Sequence, residues 1–203
     1  MLGFDCCCGQ VLLWDTNCNA LITGLSQIKA MYAANNIVAH LSTEWSGNLP
    51  DYSLILWSMA ESDPSWWSLI NGGSWGGRFH ITAEFAPTFN ATIDYVNSKT
   101  ALHGITVNHD LLSPNTGCNA NVDSVEAHQL TDGVTTITHA ATASLSGGTT
   151  LSKTGADPWI AQNKVGLIDW VVAGDSNHLT DNCPGVATLN ATFFLNLFNK
   201  PIP

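Results

Sequence analysis

Short, unbroken apolar runs recur along the chain, as in residues 11–14 and 54–57, and segments with helical periodicity separate them. Because the runs lack the alternation of a sheet with one wet face, they predict strands that are buried on both sides. Strands that alternate with helices imply parallel pairing, with helices on both faces of the sheet. The sequence therefore predicts a three-layer α/β fold with a mostly parallel sheet, whose strands occupy residues 10–15, 37–42, 53–58, 77–83 and 165–173.

The 203 residues are enough for one core, and no linker or internal repeat divides them. We therefore expect a single α/β domain over residues 1–203. Residues 106–154 differ in composition from the rest of the sequence, because they are rich in Ser, Thr, Asn and Gly and contain short runs in which apolar and polar residues alternate. This pattern predicts a small β-rich insertion or edge subregion.

The charge is lopsided, with six Lys and Arg against sixteen Asp and Glu, and Arg78 is the one arginine. Such a chain cannot assemble the cationic face that nucleic acids or anionic membranes require, so we expect neither as a partner. Charged residues make up 11% of the chain, which leaves a surface of Asn, Thr and Ser suited to packing against neighbours. The start of the sequence has no signal-peptide pattern, and no apolar run is long enough to span a bilayer.

Four stretches of the sequence, taken in order, are similar to segments of a known protein family. They read Val-Leu-Leu-Trp-Asp at 11–15, Pro-Asp-Tyr-Ser-Leu-Ile-Leu-Trp at 50–57, Gly-Gly-Arg-Phe-His-Ile-Thr-Ala-Glu at 76–84 and Val-Ala-Gly-Asp-Ser-Asn at 172–177. In this order they resemble the class I glutamine amidotransferase-like superfamily, which also includes many non-enzymatic proteins. The resemblance implies a flavodoxin-like sheet.

Catalytic members of that superfamily carry a cysteine on a tight, glycine-flanked turn after the fourth strand, where the nucleophile needs strained backbone geometry. Here residues 82–87 read Thr-Ala-Glu-Phe-Ala-Pro, with no Cys, Ser or Gly. Residues 175–178 read Asp-Ser-Asn-His where those members have His-x-Glu. The resemblance therefore implies a non-catalytic relative that lacks the nucleophile.

Several polar side chains follow predicted strands, at the edge where parallel sheets bind ligands. Clustered carboxylates there would suit a cation or an acid/base pair, but capping of the following helices explains most of them equally well. Glu84 is the hardest to explain as a cap. A triad of Asp175, Ser176 and His178 is excluded, because neighbours in one loop cannot adopt its geometry. The candidate ligand-binding residues are Asp15, Asn17, Glu61, Glu84, Asp175, Asn177 and His178.

Histidine and tryptophan are both frequent. No two of the seven histidines have the i, i+4 spacing of a helical metal site, so we expect structural roles for them. Trp66, Trp67 and Trp75 surround one short predicted helix. Adjacent positions cannot both face the core from within one helix, so one of Trp66 and Trp67 is expected to meet a loop or a partner.

The six cysteines fit no zinc pattern. Free thiols and one or two disulfides both remain open. Cys118 and Cys183 lie in predicted polar loops and are the pair most free to bond, while Cys18 is close enough in sequence to pair with one of residues 6–8.

These observations favour a non-enzymatic structural or interaction protein that forms a homo-oligomer or a larger assembly, such as a virion or an extracellular surface layer. No catalytic residue and no metal-ligand set is assigned. We expect no cofactor, with a divalent cation as the alternative. The alternatives are a hydrolase that uses the carboxylates named above, and a carbohydrate- or calcium-binding module.

Overall fold

The computed structural model describes residues 9–15, 24–45, 47–112, 121–122, 124–181, 183 and 185–203, with the backbone alone for Asp15, Asn121, Val122 and Val186. In this part of the chain the strands are β1 Gln10–Asp15, β2 Ala39–Leu41, β3 Tyr52–Ser58, β4 Gly77–Thr82, β5 Ile105–Val107, β6 Asn121–Val122, β7 Ser124–Val125, β8 Thr138–His139, β9 Leu145–Gly147, β10 Thr149–Thr154, β11 Asp157–Val165 and β12 Ile168–Ala173. The helices are α1 Ser26–Ala34, α2 Trp67–Asn71, α3 Asn90–Thr100, α4 Val186–Leu189 and α5 Ala191–Asn199.

Eight strands form the central sheet in the order β2-β1-β3-β4-β12-β11-β10-β7. The first five of these strands are parallel neighbours, which confirms the predicted fold class. The sheet continues through antiparallel strands β11, β10 and β7. The pairs β5–β9 and β6–β8 form two small antiparallel sheets.

Two predicted strands have clearly different boundaries. The strand expected over residues 37–42 is shortened to β2, Ala39–Leu41. The apolar run over residues 165–173 is a hairpin end followed by a strand, because β11 ends at Val165 and β12 begins at Ile168. Gly166 makes the reversal with a φ of 61°, a conformation that glycine adopts at little cost. Residues 149–154 of the expected β-rich subregion form β10, a strand of the central sheet.

The two faces of the sheet are covered by different helices. On one face, residues of β3 and β4 such as Trp57 and Phe79 are buried together with side chains of α2 and α3. On the other face, residues such as Leu56 and Val171 are buried with side chains of α1, α4 and α5. The runs predicted to be buried on both sides therefore form the middle layer of three.

The tryptophan expectation is wrong for the first pair. Trp66 and Trp67 are 1% and 6% exposed, and their rings lie 5.4 and 5.8 Å from that of Trp57. Both can face the core because Trp66 precedes α2 and is not part of its regular turns. No helix in the described ranges is long and apolar enough to cross a membrane.

Candidate functional site at the carboxyl ends of the strands

Two segments meet beyond the ends of the adjacent strands β4 and β12. The first carries Glu84, and the second is the loop of residues 174–181. The Ala83 amide donates to the carbonyl of Ala173 at 2.9 Å, so the two chains leave the sheet side by side. Glu84 is 2% exposed, and Asp175 is completely buried. Glu84 and Asp175 therefore lie inside the protein.

Gly174 sets the direction of the loop. Its amide donates to the Trp159 carbonyl and its carbonyl accepts from the Ala143 amide. A Cβ atom at this position would lie 2.0 Å from the Ala143 carbonyl oxygen, so no larger residue fits. This close approach requires glycine and places Asp175 and Ser176 against the residues that follow β4.

Glu84 is held by Ser176. Its Oε1 atom accepts hydrogen bonds from the Ser176 hydroxyl and from the Ser176 amide, the latter at 3.2 Å. Burial raises the pKa of Glu84 well above its ordinary value, and the nearby Asp175 carboxyl raises it further. The folded protein therefore favours the protonated form of this carboxyl group.

The Asp175 side chain holds the loop of residues 174–181 in place through hydrogen bonds to two backbone amides. Its two carboxyl oxygens accept from the amides of Ala140 and Asn177, each at 2.9 Å. Burial raises the pKa of Asp175 to about 6, against the opposing effect of His139. The side chain thus fixes the loop to the segment around Ala140.

His80 and His178 form the other half of the cluster. Their Nε2 atoms are 2.8 Å apart. The Nδ1 atom of His80 lies 3.1 Å from the Val171 carbonyl oxygen, and that of His178 lies 2.6 Å from the Asp175 carbonyl oxygen. Both rings are buried, and burial lowers the pKa of His80 to about 4 and that of His178 well below its ordinary value.

Of the remaining candidates, Asn177 joins this cluster, whereas no hydrogen bond in the described chain brings Glu61 into it. Glu61 is half-buried and accepts from the Thr92 hydroxyl at 3.1 Å. Asn177 contributes its amide to Asp175. Asp15 ends β1, and Asn17 lies outside the described residues, as do Cys18 and Cys118.

Cys183 is part of a disulfide. The other five cysteines lie outside the described residues. The proposed bond between Cys183 and Cys118 therefore stays a prediction.

Sequence reasoning missed the participation of His80. The residue lies within the apolar strand β4, between Phe79 and Ile81. A single ionisable residue in a strand buried on both sides is the signal that could have found it, because such a group needs a polar partner in the interior.

The cluster does not have the geometry of a nucleophilic site. The hydroxyl of Ser176 donates to Glu84, and His178 pairs with His80. Among the described non-glycine residues, positive φ occurs at Asn36 and Met59, so Glu84 is not held in the strained turn of a nucleophile. No group of three or more His, Cys, Asp or Glu side chains in the described ranges is placed to hold a metal. The polar groups of the cluster instead bond to one another.

Comparison with known proteins identifies solved structures with a similar fold. No protein-family model and no curated protein matches the sequence. The N-terminal domain of mmIFT52 is similar, with a TM-score of 0.65 and 15% identity over 96% of this chain and 100% of that one. A cytoplasmic protein from Salmonella typhimurium LT2 has a TM-score of 0.63 and 13% identity over 93% and 98%. A protein from Bacteroides uniformis described as ThuA-like has a TM-score of 0.52 and 13% identity over 95% and 92%.

At these identities the likeness concerns the fold alone. It agrees with the topology of the central sheet and with the helices on both of its faces. The chain has a flavodoxin-like α/β fold.

Proposed function

We propose that this chain is a non-enzymatic interaction domain, a relative of the class I glutamine amidotransferase-like proteins without their nucleophile, and that it assembles with copies of itself. The observation that carries the proposal is the residue after β4. Glu84 stands there, 2% exposed and bonded to Ser176, where an enzyme of this frame would present a reactive side chain to its substrate.

An exposed apolar surface supports the assembly part of the proposal. It lies at the opposite end of the sheet, where β11 turns into β12, and we call it the hairpin surface. Val165 and Leu167 flank Gly166 in this turn and are 38% and 69% exposed. Leu102 is 90% exposed, and the carbonyl of its neighbour His103 accepts from Asn163 in β11 at 2.7 Å. Large apolar side chains that are exposed together are typical of protein contact surfaces.

A cleft lies beside the hairpin surface. It has a volume of about 290 Å³ and is lined by Leu49, Pro50, Leu69 and Trp75, among others. Gly76 follows Trp75, and a Cβ atom added at Gly76 would lie 3.0 Å from the Cβ of Leu167, so the cleft and the hairpin are adjacent. A second copy could place an apolar side chain in this cleft while it covers Leu167.

Sedimentation velocity over a range of micromolar concentrations tests the assembly. We expect the wild type to associate, and Leu167→Lys to weaken association by about tenfold or more, which equals roughly 1.4 kcal/mol. Leu189→Lys is the matched control, because Leu189 is 51% exposed on α4, away from the hairpin surface. A wild type that stays monomeric throughout, or an equal effect of both variants, would overturn the proposal. The virion or surface layer expected from the sequence stays a prediction.

A hydrolase is the second candidate, because Asp175, with a pKa raised to about 6, would suit a general acid or base. Its burial argues against this role, since no substrate reaches a fully buried group without a rearrangement. Assays of ester and glutamine hydrolysis on the wild type and on Asp175→Asn separate the candidates. We expect no turnover above background, whereas turnover that disappears in the variant would favour the hydrolase.

A further inference from the structure

The two buried imidazoles make three polar contacts in a row. This series of contacts runs from the Val171 carbonyl to His80, from His80 to His178 through their Nε2 atoms, and from His178 to the Asp175 carbonyl. The distances along it are 3.1, 2.8 and 2.6 Å, all within the range of hydrogen bonds.

The number of protons on the two rings decides how many of these three hydrogen bonds can form at once. A carbonyl oxygen accepts and cannot donate, so the Nδ1 atom of each ring must carry a proton. Each neutral imidazole has one proton, which its Nδ1 then uses, and the two Nε2 atoms are left as bare acceptors facing each other. Three contacts need three protons, and two neutral rings supply two. A neutral pair must therefore leave one contact without its hydrogen bond.

We propose that His80 and His178 act as a single acid-sensing unit that takes up one proton, shared between the two Nε2 atoms, and thereby closes the hydrogen-bonded chain from β12 to the loop of residues 174–181. Uptake stops at one proton in the folded state. A second would remove the accepting nitrogen and place two cations 2.8 Å apart in the interior.

The charged groups around the pair act in opposite directions. Asp175, whose backbone carbonyl accepts from His178, carries a carboxyl group that would favour a nearby cation when it is ionised. His139, whose Nδ1 donates to the Ala140 carbonyl, opposes a charge on His178. Arg78 lies two residues before His80, but its ion pair with Asp169 cancels its charge.

On the side covered by α5, the described residues that contact the two histidines are uncharged. The ring of Phe194 stacks on His178 at 5.9 Å, and that of Phe193 lies 6.2 Å from His80. The Asn190 side chain donates to the backbone carbonyl of His178. We therefore expect the unit to titrate below the ordinary histidine value of about 6.5, because this apolar cover penalises the cation.

The loop at the end of this hydrogen-bonded series holds other elements in place. Ser176 in this loop bonds to Glu84, and Asp181 accepts from the amides of Ser26 and Gln27 at the start of α1. Protonation completes the third contact, whereas neutral pH leaves it unmade. An opened loop would nevertheless expose His178 and bind the proton more tightly than the buried pair does, so acid pH shifts the balance toward release of the loop.

Nitrogen-15 NMR of the histidine side chains in the intact protein, from about pH 8 to about pH 3, tests the proposal. We expect His80 and His178 to change in one step with a common midpoint, while both Nδ1 atoms stay protonated and a coupling between the two Nε2 nuclei appears. His109, whose side chain is 45% exposed, serves as the internal reference. Separate midpoints, or an Nδ1 that is bare in the acid form, would overturn the proposal.

A variant tests directly whether His80 and His178 share one proton. His80→Phe keeps the ring volume and removes both nitrogens, so the proton on His178 loses its acceptor. We expect the midpoint of His178 to fall by about one pH unit or more, which is a tenfold loss of proton affinity. An unchanged midpoint would show that the rings titrate independently. If His80→Phe does not fold, the wild-type titration decides the question alone.

Discussion

Glu84 is a carboxyl group that the protein keeps away from water. The two hydrogen bonds from Ser176 compensate part of the cost of burial, and the raised pKa removes more of it, because the protonated form carries no charge. In the unfolded chain the same group ionises near its ordinary pKa of 4.5. The folded state therefore binds the proton more tightly, and the stability that Glu84 contributes falls as the pH rises above about 4.5.

Glu84→Gln should remove this dependence. Glutamine retains the accepting oxygen and cannot ionise, so we expect a loss of roughly 1 kcal/mol near pH 5, from an imperfect fit of the amide. As the pH rises toward 8, the variant should gain stability relative to the wild type. Urea unfolding at a series of pH values measures both quantities.

Glu126→Gln is the control for this prediction. Glu126 is half-buried, with its side chain 41% exposed, and forms a surface ion pair with Lys153 at 2.7 Å. We expect its replacement to change stability by less than about 1 kcal/mol at any of these pH values. If the difference between Glu84→Gln and the wild type does not vary with pH, Glu84 ionises in the folded protein as it does in the unfolded chain.

At the scale of elements, helix α1 begins without a cap of its own. Leu25 occupies the N-cap position, its side chain cannot accept from the first amides, and the first turn contains no acidic residue. Asp181 performs this task from the loop after β12. Its carboxyl oxygens accept from the amides of Ser26 and Gln27 at 2.7 and 2.8 Å. The loop that carries His178 therefore also fixes the start of α1.

Asp181→Ala removes this cap. We expect a loss of about 1 kcal/mol in the free energy of unfolding, because the two amides lose their acceptor. Thermal unfolding measures the loss, and faster hydrogen exchange at Ser26 and Gln27 would locate it. Asp157→Ala is the control, since Asp157 is the exposed first residue of β11. Equal destabilisation by the two variants would contradict the capping role.

At the scale of the whole molecule, the one arginine joins the sheet to the C-terminal helix. Arg78 is 1% exposed, and its Nε atom donates to Asp169 on β12 at 2.6 Å. Its other nitrogens donate to backbone carbonyls at the end of α5 and beyond, including those of Lys200 at 3.1 Å and Pro201 at 3.2 Å. The guanidinium group thus satisfies carbonyls that the helix itself leaves without partners.

Arg78→Met should be the most damaging of the substitutions considered. It leaves the Asp169 carboxylate buried without its cation, and we expect a loss of about 3–5 kcal/mol in the free energy of unfolding. Urea unfolding with a probe on α5 measures it. Lys164→Met, at an exposed position, is the control and should change stability by less than about 0.5 kcal/mol. A small effect of Arg78→Met would show that α5 is held by its apolar contacts alone.

The parallel strands β1, β3 and β12 follow from the sequence because each is centred on a local apolar run, and such a run indicates burial on both sides. β4 is less obvious, because it contains Arg78 and His80. The antiparallel strands of the same sheet do not follow. Residues 149–154 look like part of an edge subregion, and β11 is joined to the predicted strand by the turn at Gly166. Which strand pairs with which depends on chain reversals and on register, and neither is encoded by local hydrophobicity.

The sequence by itself also determined that the turn after β4 has no nucleophile, because residues 82–87 contain no Cys, Ser or Gly. It could not show what Glu84 does instead. Glu84 and Ser176 are 92 residues apart in the chain, and His80 and His178 are 98 apart. Only the parallel pairing of β4 with β12 brings these pairs into contact. Composition and periodicity specify which segments are buried, whereas hydrogen bonds between distant side chains depend on strand register and on the path of the loop after Gly174.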